Sequence, residues 1–137
     1  MALLGSLKLE HVGVVVANIQ AVAKHYVEML GAIEDGPLVF DPTQRVNIQF
    51  YRLADGTRIE LIEPVGEDSP VKRSLEKGGG LNHLCYEVPN IEEAVAAARA
   101  ARAICICEPT PAVAFGGRRV AFIFQKQLGV IEFVEPA

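Results

Sequence analysis

The sequence predicts an α+β fold made of two tandem β-α-β-β-β modules. Two observations predict it: the chain repeats its own motifs at a separation of 72 residues, and each copy shows the same order of strand and helix patterns. A duplication of this kind gives two half-domains, related by a pseudo-two-fold axis, that can share one mixed sheet. The repeated motifs are Leu9–His11 with Leu81–His83, Asn18–Ile19 with Asn90–Ile91, and Ile59–Pro64 with Ile131–Pro136.

The first copy begins with a β-branched run at 8–16, which predicts a strand at least partly buried on both faces. Asn18 follows as a helix N-cap, apolar residues then recur at helical spacing, and Gly31 ends the helix. Three strands come next, and Asp55-Gly56 between the last two is a strong hairpin signal. We expect these strands at 32–40, 45–53 and 57–64.

A connecting segment at 65–80 is expected to hold a short helix from Pro70 to Lys77, which the glycines at 78–80 end. The second copy then repeats the order, with Asn90 capping an alanine-rich helix. Its helix is expected to run through Ala101, and its strands to lie at 81–88, 103–107, 119–125 and 129–135. We therefore expect one domain over 1–137, with modules at about 7–68 and 80–136.

The composition is typical of a globular protein, since 50% of the residues are hydrophobic and 22% are charged. A net charge of −4 and the absence of a basic stripe argue against a nucleic-acid partner. Three cysteines without framework spacing favour a reducing compartment, and we expect a cytoplasmic protein. We identify no signal peptide and no apolar run of about 20 residues, so no membrane association is expected.

One histidine and one glutamate recur in both copies at the same spacing. Glu60 follows His11 by 49 residues, and Glu132 follows His83 by 49 residues. Because a pseudo-two-fold axis can bring equivalent positions to one point, the four side chains can meet there. Two imidazoles and two carboxylates at one point would bind a divalent metal.

Apolar residues flank both glutamates, which indicates strands covered on both faces. An unpaired carboxylate there would cost several kcal/mol, and a bound metal removes that cost. A structural ion-pair cluster, or a site that no longer binds metal, would be the alternative. Mixed nitrogen and oxygen ligation suits Co²⁺, Ni²⁺, Mn²⁺, Fe²⁺ or Zn²⁺. Such an ion would act as a Lewis acid and stabilise an enolate formed next to a carbonyl group.

Further motifs resemble one enzyme family over nearly the whole chain. The duplicated module, with ligands on its first and last strands, resembles the vicinal oxygen chelate superfamily. Six segments carry a closer resemblance: Ile59–Pro64, Glu67–Val71, Leu75–Lys77, Gly80–Cys85, Glu108-Pro109 and Gly116–Val120. Within the superfamily these segments are similar to those of methylmalonyl-CoA epimerases.

This resemblance implies a curved eight-stranded mixed sheet around a metal-binding cleft, with His11, Glu60, His83 and Glu132 as the metal ligands. It implies an isomerase that inverts the α-carbon of methylmalonyl-CoA, or of a similar acyl-CoA thioester, through an enolate. Co²⁺ is the ion expected for that activity, and a homodimer is the expected assembly. Glu132 and Glu60 are the proton-transfer candidates, one for each face of the planar enolate.

Three positions depart from the family pattern. Asn82 stands where epimerases commonly have a second histidine, and Gln125-Lys126 stand where they have His-Pro. The second base proposed in some relatives falls near Asn47 and Ile48, neither of which can take a proton. These departures leave the acyl group of the substrate open.

Two other functions are compatible with the four candidate ligands. One is a glyoxalase I-like lyase acting on a glutathione hemithioacetal, which also needs proton transfer beside a metal-bound carbonyl. The other is a non-catalytic protein that binds a small molecule and confers resistance. A redox dioxygenase is disfavoured because its iron site usually has one carboxylate, whereas Glu60 supplies a second here.

Two further groups of polar side chains have alternative interpretations. Arg118 and Arg119 follow a Gly-Gly pair and would either meet a coenzyme A phosphate or lie on a solvated hairpin. Asn47 and Gln49 share one face of their strand, and strand alternation alone leaves open which face that is.

Overall fold

A computed structural model describes residues 5–137, and its elements follow the predicted order. The helices are α1 (Ile19–Leu30), α2 (Lys72–Glu76) and α3 (Ile91–Ala100), with one 3₁₀ turn at Val113–Phe115. The strands are β1 (Lys8–Val15), β2 (Ile33–Glu34), β3 (Val39–Asp41), β4 (Val46–Arg52), β5 (Arg58–Pro64), β6 (Gly80–Glu87), β7 (Ile104–Pro111), β8 (Arg119–Gln125) and β9 (Gly129–Val134).

The strands form a mixed sheet, as predicted, in the hydrogen-bonded order β2-β4-β5-β1-β6-β9-β8-β7, with β3 paired to β4. The pairs β1–β5 and β6–β9 are parallel, whereas β4–β5, β7–β8 and β8–β9 are antiparallel. Over residues 5–137 there are nine strands where eight were predicted. The extra strand arises because Gly36, at φ +101°, and Pro37, which has no N–H to donate, break the expected strand into β2 and β3.

Two other elements differ in length from the prediction. β7 continues to Pro111 instead of ending at 107, with register shifts along its pairing to β8. An edge strand tolerates Pro109 and Pro111, because a missing N–H on the open side breaks no ladder. The connecting helix, α2, is shorter than expected, because it spans Lys72–Glu76 and not Pro70 to Lys77. None of the helices within residues 5–137 is long and apolar enough to span a membrane.

The chain divides into two compact units. The first is His11–Asn82. The second combines the residues through Glu10 with His83–Ala137. In the first unit, α1 packs on one face of β4 and β5 through an apolar cluster. Asn18 Oδ1 accepts a hydrogen bond from Ala21 N at 2.9 Å, which confirms the predicted N-cap. Gly31 ends α1 at φ +67°. The cluster contains Val16, Ile19, Ala23, Ala32, Tyr51, Ile59 and Leu61.

The second unit repeats this packing with α3 on β8 and β9. Asn90 Oδ1 accepts a hydrogen bond from Glu93 N at 2.9 Å, so the second N-cap is also confirmed. In both units the helix covers one face of the strands, and alternation directs the intervening side chains to the other face. The apolar cluster contains Val88, Ile91, Ala94, Val95, Ala98, Ala121, Ile123 and Phe133.

Glu63 stabilises the start of α1 from the neighbouring strand β5. Its Oε2 accepts a hydrogen bond from Ile19 N at 3.0 Å, and its Oε1 accepts one from Asn47 Nδ2 at 2.9 Å. A carboxylate is favourable at a helix N-terminus because it faces unpaired N–H groups and the positive end of the helix dipole. We therefore expect Glu63→Ala to lower the free energy of unfolding by about 1.5–3 kcal/mol.

Equilibrium denaturation in urea measures this loss. Glu28→Ala, on the exposed surface of the same helix, is the matched control and should change the stability by less than about 0.5 kcal/mol. Equal losses in the two variants would contradict the capping role of Glu63.

Candidate metal centre

The first predicted pair, His11 and Glu60, comes together on two adjacent parallel strands of the unit His11–Asn82. Gly13 on β1 is level with Glu60 on β5, and His11 lies two residues earlier on the same face of the strand. His11 Nε2 is 3.3 Å from Glu60 Oε1, and the two side chains are 0% and 6% exposed. The sequence repeat therefore identified a buried histidine–glutamate pair.

The second pair, His83 and Glu132, is built in the same way in the other unit. Cys85 on β6 is level with Glu132 on β9, and His83 again lies two residues earlier. His83 Nε2 is 3.0 Å from Glu132 Oε1, with side-chain exposures of 3% and 5%. Each unit thus supplies one imidazole and one carboxylate from its own pair of parallel strands.

A phenylalanine accompanies each pair and was not predicted from the sequence. Phe50 lies opposite Glu60 in the β4–β5 ladder and meets the His11 ring edge-on, with 5.3 Å between ring centroids. Phe122 lies opposite Glu132 and meets His83 in the same way at 5.6 Å. The two phenylalanines are themselves 72 residues apart, so the repeat contained the signal that could have identified them. Their rings limit rotation of the imidazoles and help to keep water from the pairs.

The donor atoms of each pair fit a divalent ion. When a neutral imidazole carries its proton on Nδ1, its Nε2 lone pair faces the carboxylate, and a cation bound to both atoms relieves the repulsion. The observed separations of 3.3 Å and 3.0 Å would let one bound cation contact both donor atoms of a pair.

All four side chains are buried donors of the kind that hold metal ions: His11 and Glu60 in one unit, and His83 and Glu132 in the other. In each pair a neutral imidazole leaves the carboxylate to supply the negative charge that attracts a cation. Nitrogen and oxygen donors in equal number suit several first-row transition metals and do not select one of them.

Comparison with known proteins gives the family. The sequence profile of the glyoxalase/bleomycin resistance protein/dioxygenase superfamily matches residues 10–122. The chain belongs to this superfamily. Its mixed sheet with few helices agrees with the vicinal oxygen chelate fold that defines the superfamily's architecture.

Relatives within the superfamily include named epimerases. An ethylmalonyl-CoA/methylmalonyl-CoA epimerase of Cereibacter sphaeroides is 36% identical over 87% of this chain and 89% of its own length. The human mitochondrial methylmalonyl-CoA epimerase is 34% identical over 89% of this chain and 69% of its own length. The crystal structure of methylmalonyl-CoA epimerase from Mycobacterium tuberculosis superimposes with a TM-score of 0.82 at 26% identity, covering 94% of this chain and 87% of that one. These relatives confirm the resemblance to methylmalonyl-CoA epimerases within the superfamily.

The polar residues of β4 face away from Glu60. Glu60 is level with Phe50, so Asn47 and Gln49 project from the opposite face, where α1 packs. Asn47 donates a hydrogen bond to Glu63, and Gln49 Nε2 donates one to Gly36 O at 2.6 Å. Both side chains therefore support the fold of this unit.

Ile48 shares the face of β4 that carries Phe50, and it is buried. The structure thus places an apolar side chain at this point, near the position of the second base expected from the family resemblance. Within the unit His11–Asn82, Glu60 is the carboxylate on that face that the structure pairs with a histidine.

The two arginines that follow Gly116-Gly117 are held within their own unit. Arg119 donates to Glu135 Oε2 at 2.9 Å and also pairs with Glu92 at 2.6 Å, and these contacts lower the pKa of both carboxyls. Arg118 Nη1 donates to Glu135 O at 2.8 Å, and its guanidinium lies over the Phe115 ring. These contacts favour the hairpin interpretation over a role in binding phosphate.

Proposed function

We propose that this protein is a metal-dependent epimerase that inverts the α-carbon of methylmalonyl-CoA or of a similar acyl-CoA thioester. The observation that carries the proposal is the pair of buried histidine–glutamate contacts in a chain that matches a named epimerase over most of both sequences. The relative from Cereibacter sphaeroides is named for both ethylmalonyl-CoA and methylmalonyl-CoA, which supports a branched acyl-CoA substrate for this chain.

The two pairs are proposed to hold one divalent ion through His11, Glu60, His83 and Glu132. When bound, the ion would supply Lewis-acid stabilisation of the negative charge that develops on the thioester oxygen as the α-proton leaves. Co²⁺ is our proposed ion, and Zn²⁺, Ni²⁺, Mn²⁺ and Fe²⁺ suit the same donors. The imidazoles contribute neutral nitrogen atoms, so the negative charge of the site comes from the carboxylates.

Glu132 and Glu60 are proposed to transfer the proton. A carboxylate has two oxygen atoms, so one can serve as a ligand while the other accepts a proton. One glutamate takes the α-proton, the α-carbon becomes planar, and the other glutamate returns a proton to the opposite face. No electrons are gained or lost, because the product differs from the substrate only in configuration. Ile48 cannot carry a proton, which is why we assign the second role to Glu60.

Proton exchange in D₂O tests this function. Protein stripped with a chelator, incubated with a single epimer of methylmalonyl-CoA, should exchange the α-proton only after Co²⁺ is added, and inversion should accompany exchange. Proton NMR follows the loss of the α-proton signal, and chiral analysis follows the inversion. Absence of exchange by protein that holds one Co²⁺ per chain would contradict the epimerase proposal.

The same assay separates the two other functions that the sequence allows. A glyoxalase I-like lyase would leave methylmalonyl-CoA unchanged and would convert a glutathione hemithioacetal; the superfamily match is the observation that favours it. A binding or resistance protein would turn over neither compound. A homodimer and a cytoplasmic location stay predictions for this chain.

A further inference from the structure

The two copies of the repeat differ in how they fill the space under the helix. In the unit that contains α3, a cavity of about 310 Å³ lies between the helix and the sheet. Alanines line its helical side, at Ala97, Ala98 and Ala101, and Ile131 and Phe133 line its strand side. None of the four proposed metal ligands lines it, so the cavity is distinct from the metal centre.

The first copy shows what fills this place in a complete core. Because Asn18 and Asn90 cap equivalent helices, Tyr26 on α1 is the counterpart of Ala98 on α3. Tyr26 packs against the apolar cluster that includes Ile59 and Leu61, the counterparts of Ile131 and Phe133. Burial raises the pKa of the Tyr26 phenol. One copy thus fills with an aromatic ring the space that the other leaves open beside an alanine.

A second lining position is also an alanine. Ala101 stands where α1 has Met29, which is 77% exposed, so Tyr26 is the counterpart side chain that packs against the strands in the first copy. An unfilled space is normally unfavourable, because the side chains that line it lose van der Waals contacts that a larger side chain would make. An open cavity of this size is therefore suited to a ligand that restores those contacts.

The lining restricts the chemistry of that ligand. It contains no charged residue, and its polar side chains are Tyr86 and Gln125. The Gln125 amide is already engaged in the β8–β9 turn, where Oε1 accepts from Gln127 N at 2.7 Å and from Leu128 N at 3.0 Å. An enclosed apolar cavity of about 150 Å³ admits benzene. The space here is larger and opens to solvent beside the exposed Leu7 and Leu128, so it can accommodate a substituted ring.

We propose that this cavity binds an uncharged aromatic small molecule, whose ring takes the place under α3 that the Tyr26 ring takes under α1. The ligand contacts the alanine face of the helix on one side and the strands β8 and β9 on the other. This site is independent of the proposed epimerase activity.

The probe for this site is p-cresol, which is the tyrosine side chain as a free molecule. We expect saturable binding of one p-cresol per chain with a Kd of about 1 mM or tighter, measured by NMR chemical-shift titration. Ala98→Tyr should raise the Kd by at least about tenfold, because its own ring fills the cavity. Ala101→Met, which places a longer side chain at another lining position, provides a second filled variant if Ala98→Tyr does not fold.

The converse variant extends the test. Tyr26→Ala should open the equivalent space under α1, bind a second p-cresol, and be stabilised against thermal unfolding by the ligand. Absence of saturable binding to the wild-type chain up to about 10 mM would overturn the proposal. Undiminished binding to folded Ala98→Tyr or Ala101→Met would also overturn it, because the ligand would then lie elsewhere.

Discussion

Glu132→Gln is expected to abolish proton exchange from one epimer of methylmalonyl-CoA and to leave exchange from the other, and Glu60→Gln is expected to do the reverse. Each substitution keeps the size of the side chain and an oxygen able to bind metal, but removes the group that carries the proton. Loss of general acid–base catalysis lowers a rate by about 10²–10⁴-fold. Inversion, which needs both glutamates, should fall by that factor in either variant.

Proton NMR in D₂O, started separately from each epimer with saturating Co²⁺, measures this pattern. Glu28→Gln, on the exposed face of α1, is the matched control and should exchange both epimers at the wild-type rate. Wild-type inversion by Glu132→Gln would show that Glu132 transfers no proton. Equal losses for both epimers in both variants, with the metal content unchanged, would contradict the assignment of one glutamate to each face.

Metal binding is expected to be lost when either copy of the repeat is altered. If the two histidine–glutamate pairs share one ion, the wild-type chain binds one Co²⁺, and His11→Ala and His83→Ala each weaken that binding severely. Residues that only orient metal ligands cost about 10–100-fold in affinity when they are changed, so removal of a ligand itself should cost at least about 100-fold. Calorimetric titration and the visible absorption of Co²⁺ report the binding independently of catalysis.

The remaining histidine of the chain supplies the control for this experiment. His25 lies exposed on α1, and His25→Ala should bind Co²⁺ with wild-type affinity and stoichiometry. The contrary result would be two ions per wild-type chain and one in each of His11→Ala and His83→Ala. That stoichiometry would assign a separate ion to each pair and would contradict a shared site.

The repeat explains why so much of the candidate site could be predicted. A lone histidine on a strand says little, but His11 and His83 occupy equivalent positions, and each has a glutamate 49 residues later. Local signals also sufficed for the helix starts, since Asn18 and Asn90 act through N–H groups only three residues away. Both kinds of information are contained in short segments or in their repetition.

The features that were missed depend on strand pairing. Which face of β4 carries Gln49 follows from the register that places Phe50 opposite Glu60, and no local pattern fixes that register. Arg119 forms ion pairs with Glu92 and Glu135, which lie in other segments of the chain. The Gly-Gly-Arg-Arg motif alone therefore could not predict these partners. The division of the expected strand at 32–40 was accessible in principle, because Gly36-Pro37 is a local signal for a break.

The parallel pairing that forms each histidine–glutamate pair also limits how the length of the chain can vary. Gly13 is level with Glu60 and Cys85 with Glu132, so a residue inserted between Arg58 and Glu60 would turn that carboxylate to the side covered by α1. An insertion in the segment between β5 and α2 changes no such alignment. Because the arrangement occurs twice, we expect insertions and deletions in natural variants of this chain to be confined to loops in both halves, with the four strands that carry the pairs keeping a fixed length.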